Sequence, residues 1–167
     1  MMEHVKADTN TKITVDFDVV LVYAEAQKTD ACGIADLFRT LSASDIRADL
    51  IGLIPPRRTP GGLSFSVASC DFSRMLKAAA QTRSRHTDMR IEVCGGYSRV
   101  MLHRPETAHA SHPAADFLTA MCEADSEIML LASSDAAIGV LVRTDELDKT
   151  VAALERAFPQ AKVTYIE

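Results

Sequence analysis

The sequence predicts an α+β fold of two successive βαββαβ units, each an antiparallel sheet with two helices on one face. Three observations predict it. Apolar residues recur alternately with period two and at helical spacing along the chain. The order strand–helix–strand–strand–helix–strand runs twice, with a period of about 75–80 residues. Each round has two strand-like runs joined by turn residues at its middle, which makes the units ferredoxin-like.

Taken in order, residues 1–10 read as a flexible lead-in. In Thr11–Phe17, Ile13, Val15 and Phe17 alternate with polar neighbours, and a denser apolar run follows at Val19–Tyr23. Gly33–Ala43 carries Ile34, Leu37, Phe38 and Leu41 at amphipathic helix spacing. Ile46–Ile54 is a strand, and residues 55–62 (PPRRTPGG) form a turn. Leu63–Ala68 alternates as a half-buried strand. Asp71 or Ser73 is placed to cap a helix through Met75, Leu76 and Ala79. Met89, Ile91 and Val93 make a strand ending at Gly95-Gly96. The second round is a strand at Ser98–His103, a helix at Pro113–Ala124, and strands at Glu127–Ser133 and Ala137–Val142 around the turn Ser134-Asp135. Thr144-Asp145 then caps a helix through Leu147, Val151, Leu154 and Phe158, before a last strand at Val163–Ile166.

Composition narrows the function. The 167 residues carry a net charge of −5, are 47% hydrophobic and lack Trp, an ordinary globular mixture. Arg57-Arg58 and Arg83/Arg85 are too short as basic runs for a nucleic-acid surface. No apolar run approaches a membrane span, and the polar N-terminus lacks a signal-peptide core. Cys32, Cys70, Cys94 and Cys122 are widely spaced without a CxxC pair, so a reduced, cytoplasmic protein is expected. His103, His109 and His112 lie close in sequence but lack a Cys or carboxylate at ligand spacing, so no metal and no cofactor is expected. Met75, Met89, Met101, Met121 and Met129 read as core filler.

The ordered series of segments resembles the tandem ACT regulatory region of aspartokinases over residues 11–167. GIADLFRTLSASDIRADLI (Gly33–Ile51) is similar to the first-unit pattern "GVAAKIFGALADANINIDMI", and DFSRMLKAA (Asp71–Ala79) to "DLERALEIL". In the second round LTAMCEADSEIMLLASSDAAIGVLV (Leu118–Val142) resembles the helix–strand–strand passage, and ELDKTVAALERAF (Glu146–Phe158) the final helix. Ser111-His112-Pro113 echoes the "SHPG" that opens the second unit's helix. The resemblance implies a first ACT unit over 18–95 and a second over 96–167 completed by the strand at 11–17. It implies a homodimer through these units, an amino-acid effector, and an aspartokinase-like catalytic partner. A chain of 167 residues leaves no room for a kinase lobe, and no P-loop-type phosphate cradle is present, so a non-catalytic regulatory subunit is expected.

The resemblance also points to ligand-contacting positions. In the family, a Pro-Gly helix start presents backbone N–H groups to the ligand carboxylate. Here Cys32 replaces the proline, Gly33 is retained and Ile34 follows, with Glu25 and Asp30 upstream to meet an effector amine. In the second unit the corresponding stretch is Ser111, His112, Pro113 and Ala114. The amides that follow each first helix become Asp45-Ile46-Arg47, with Asp49 nearby, and Glu127-Ile128-Met129. Alternatively, Arg47 and Glu127 serve as solvated or paired surface charges. Two further functions fit the altered pocket: an ACT-derived enzyme using Cys32, His112 and Glu127 on an amino-acid-like substrate, or a degenerate module binding only protein.

Overall fold

The structure, a computed structural model, describes residues 11–26, 31–54, 61–103 and 113–166. The expected lead-in at 1–10 and the turn at 55–60 lie outside them. The elements are β1 (Lys12–Ala26), α1 (Ala31–Ala43), β2 (Asp49–Ile54), β3 (Gly61–Ala68), α2 (Phe72–Arg85), β4 (Arg90–His103), α3 (Pro113–Glu123), β5 (Leu130–Ser133), β6 (Ala137–Arg143), α4 (Leu147–Ala157) and β7 (Lys162–Ile166). The class is α+β, as the sequence predicts.

The chain divides into two compact units. One comprises Asp18–Tyr97; the other joins the N-terminal segment through Phe17 to the chain from Ser98 onward. In the first, the strand order is β2-β3-β1-β4, the ferredoxin-like arrangement. In the second it is β5-β6-β4-β1-β7, and Lys12–Asp16 pairs in parallel with Lys162–Ile166.

β1 and β4 are single strands that serve both units. Ile13 and Val15 are fully buried in one core, whereas Val20, Val22 and Ala24 enter the other. Asp18, between the two sets, stands at φ 53°. In β4, Ile91 and Val93 pack in the first core, Val100 and Leu102 in the second, and Gly96 between them stands at φ 90°. Each core is centred on a fully buried aromatic, Phe65 or Phe117, whose burial contributes about 1.5–3 kcal/mol.

The helix ends repeat between units. The Ile46 N–H donates to Leu41 O at 2.9 Å, and the Ser126 N–H to Met121 O at 3.2 Å. Between each pair an aspartate occupies the left-handed region, Asp45 at φ 53° and Asp125 at φ 48°. A cation from the second helix reaches each turn. Arg74 donates to Ser44 O at 3.1 Å and is paired with Asp71; Lys149 donates to Asp125 O and to Glu146 Oε1 at 2.8 Å. Positive charge here complements the carbonyl end of the helix dipole.

Several expected boundaries move. β2 starts at Asp49 and β5 at Leu130, three residues later than the apolar pattern suggests, because the chain leaving each left-handed turn is not yet paired as a ladder. α1 starts at Ala31 rather than Gly33, and Gly61 and Gly62 belong to β3 rather than to the turn. Neither Asp71 nor Thr144-Asp145 caps its helix through a side chain. Short 3₁₀ turns, Ser69–Asp71 and Thr144–Glu146, lead into α2 and α4, and Ser73 lies within α2.

Candidate functional site

In the Asp18–Tyr97 unit the sequence-derived residues fall at the two ends of α1. Cys32 is exposed and Gly33 buried in its first turn. Ile34 is half-buried against the core. A Cβ on Gly33 would stand 3.1 Å from Met89 Cε and 3.7 Å from His86 Nδ1, so this turn packs closely on the end of α2. Gly33 is therefore retained for close packing; its φ lies outside the left-handed region. Glu25, near the end of β1, pairs in register with Gly62 of β3. Asp30 lies outside the described residues.

A polar network beneath this turn was not legible in the sequence. Asp36 accepts from Arg85 Nη1 at 3.1 Å, and its other oxygen lies 3.1 Å from His86 Nε2. Arg85 also donates to Thr40 Oγ1 at 2.8 Å, and Thr40 donates to Asp36 O at 2.8 Å. The only sequence signal was the pair Arg83/Arg85, read as a short basic cluster.

At the other end of α1 lies a cavity of about 360 Å³ lined by Phe38, Leu41, Ser42, Asp45, Ile46, Arg47, Ala48 and Ile51. Arg47 is highly exposed and pairs with Asp49 at 3.5 Å. The carbonyl of Asp49 accepts from buried Ser66 at 3.1 Å. A 13-residue helix is about 20 Å long, so Cys32–Ile34 and Arg47–Asp49 do not line one pocket within this unit.

The other unit shows the same division. Ala114 is exposed in the first turn of α3, while Ser111 and His112 lie outside the described residues. Beyond the far end of α3, the Glu127 N–H donates to Glu146 Oε2 at 3.0 Å and the Met129 N–H to Leu141 O at 2.9 Å. The Lys149 ammonium, followed by the Glu127 N–H, holds the Glu146 carboxyl below its ordinary range. Arg143 acts likewise on Asp145. The Glu127 side chain is exposed and Met129 half-buried.

Of the histidines considered for a metal, only His103 is described. Its Nε2 lies 2.9 Å from Thr14 Oγ1, and burial, then Lys12 and Arg99, push its pKa below the ordinary value. Among the described residues no group of three or more His, Cys, Asp or Glu could hold a metal ion, and no helix is long and apolar enough to cross a membrane. Cys32, Cys70, Cys94 and Cys122 are all exposed.

No protein-family model and no curated protein matches the chain. Solved structures do. The ligand-free regulatory subunit of aspartate kinase from Thermus thermophilus superposes with a TM-score of 0.76 at 18% identity, covering 87% of this chain and 96% of that one. Aspartate kinase from Synechocystis gives 0.78 at 18% identity, covering 93% of this chain and 28% of the kinase. E. coli aspartokinase III in complex with lysine and aspartate gives 0.65 at 14% identity, covering 88% and 33%. The chain thus has the fold of aspartate kinase regulatory subunits and C-terminal regulatory regions, two units of ferredoxin-like topology.

Proposed function

We propose that this chain is a non-catalytic, cytoplasmic regulatory protein that senses an amino acid or related metabolite and modulates a separate aspartate-kinase-like catalytic chain. The observation that carries the reading is the superposition, which takes in 96% of a structure that is itself a regulatory subunit. The ligand carboxylate meets the first turn of α1, where the helix dipole favours negative charge. The Asp36–Arg85–His86 network fixes that turn against α2. Binding favours one packing of self-associated units over another and so biases the catalytic partner.

Thermal unfolding against the proteinogenic amino acids and metabolites of aspartate phosphorylation tests this. A ligand at about 100 times its dissociation constant stabilises by roughly 2.7 kcal/mol. For a chain of this size that raises the melting temperature by about 5–10 °C. Gly33→Val, which crowds Met89 and His86, abolishes the shift while the protein stays folded. Absence of any selective shift would sink the sensor, and a shift that survives Gly33→Val would move the site away from this turn.

A further inference from the structure

We propose that Lys12, Lys162 and His103 hold a phosphate-type dianion on the sheet face opposite α3 and α4. The site lies wholly within the unit built on Phe117 and does not rest on the effector reading. β1 and β7 run parallel, with Lys12 opposite Lys162 and Thr14 opposite Thr164. Residues in register on neighbouring strands share a face and stand about 4.8 Å apart. Ile13 and Val15 enter the core with Phe117 of α3 and Leu154 of α4, so the alternating Lys12, Thr14 and Asp16 stand on the other face. β4 brings two more groups there. His103 Nε2 lies 2.9 Å from Thr14 Oγ1, and Arg99 Nη2 donates to Asp16 Oδ2 at 2.6 Å.

This cluster is short of negative charge. Lys12 and Lys162 are exposed and make no ion pair among the described residues. Like charges directly opposite one another on a sheet are destabilising. Asp16, the carboxylate that β1 sends to this face, is engaged by Arg99. The positive field reaches the imidazole: after burial, Lys12 and Arg99 push the His103 pKa down. The field is local, because the unit holds eight cations against fourteen carboxylates. A dianion balances both ammoniums and leaves an oxygen to accept from His103 once its ring is protonated. Thr14, 7% exposed, holds that ring in place. A single carboxylate would leave one lysine unmatched, and a spot this small is too short for a nucleic-acid track.

Sulfate is the probe, because it stays doubly charged from neutral to mildly acid pH. Calorimetric titration of the full chain compares it with chloride at equal ionic strength, while nuclear magnetic resonance follows the His103 ring. Sulfate is expected to bind, to bind more tightly as pH falls, and to raise the His103 pKa, since the two equilibria are reciprocally linked. The Lys12→Gln/Lys162→Gln chain, checked for folding by circular dichroism, is expected to lose about tenfold or more in sulfate affinity. Lys77→Gln, on the exposed side of α2, leaves it unchanged. Sulfate that binds no better than chloride, that binds the double variant equally well, or that leaves the His103 pKa unmoved would each overturn the proposal. Inorganic phosphate and a nucleoside monophosphate, titrated in the same way, then name the source. Equal affinity assigns the site to the free anion, and a tighter monophosphate to a phosphomonoester. Gly33→Val separates this site from the effector turn: sulfate binding survives it, whatever becomes of the effector shift.

Discussion

Gly62 of β3 lies under the ring of Tyr23, and replacing it with alanine sets two effects against each other. A Cβ there would stand 2.5, 2.6 and 2.8 Å from Tyr23 Oη, Cε2 and Cζ, distances at which something must move. The φ of Gly62 lies outside the left-handed region, so the backbone itself tolerates alanine. In an unencumbered strand the substitution would gain roughly 0.5–1 kcal/mol by restricting the unfolded chain. Here the half-buried ring must swing away or β3 must yield, an overpacking cost of about 1–3 kcal/mol. We therefore expect Gly62→Ala to destabilise by about 1–2 kcal/mol. In a Tyr23→Ala background the obstacle is gone and the same change should stabilise, giving a coupling of roughly 2 kcal/mol. The chain lacks Trp, so urea unfolding is followed by far-ultraviolet circular dichroism, with the slope on denaturant held as a control. A Gly62→Ala protein as stable as the wild type, or an equal effect in both backgrounds, would refute the reasoning.

Asp45→Gly and Asp125→Gly relieve left-handed backbone at equivalent turns, and each should stabilise by about 0.5–1 kcal/mol in the same titration. Arg74→Met leaves buried Asp71 without its ion pair and removes the donor to Ser44 O, and should cost about 1–3 kcal/mol. His103 is harder to protonate in the folded chain than in the unfolded one. Below pH 6.5 the unfolded chain binds its proton first, so stability should be full above that pH and decline as pH falls toward the lowered value. His103→Gln should flatten that acid-side decline in unfolding free energies measured between pH 7.5 and 5.5.

The helices were legible because Leu37/Leu41 and Leu147/Val151/Leu154 repeat at helical spacing on faces that are in fact buried. The strands were legible in type but not in extent. Val19–Tyr23 read as a dense apolar run because both faces of β1 are covered there: Val20 and Val22 enter the core while Leu21 and Tyr23 between them are half-buried. Gly95-Gly96 read as an end because paired glycines interrupt the apolar pattern, although β4 runs straight through them. The site was legible only as fragments. Cys32–Ile34 and Arg47–Asp49 are near one another in sequence, yet a helix of about 20 Å separates them. The Asp36–His86 contact spans 50 residues and has no local signature.

The parallel pairing of β1 with β7 has a consequence for synthesis. The unit from Asp18 to Tyr97 is a contiguous stretch whose strands are all present once residue 97 has left the ribosome. Lys12–Asp16, by contrast, waits for Lys162–Ile166, 150 residues later. At about 5–20 residues per second that interval is roughly 8–30 s. Throughout it, an apolar segment bearing Ile13 and Val15 is anchored beside an already folded unit without its β7 neighbour, open to any other strand. The later unit cannot mature until Lys162–Ile166 arrives, so a chain lacking that strand would leave Lys12–Asp16 in that exposed condition.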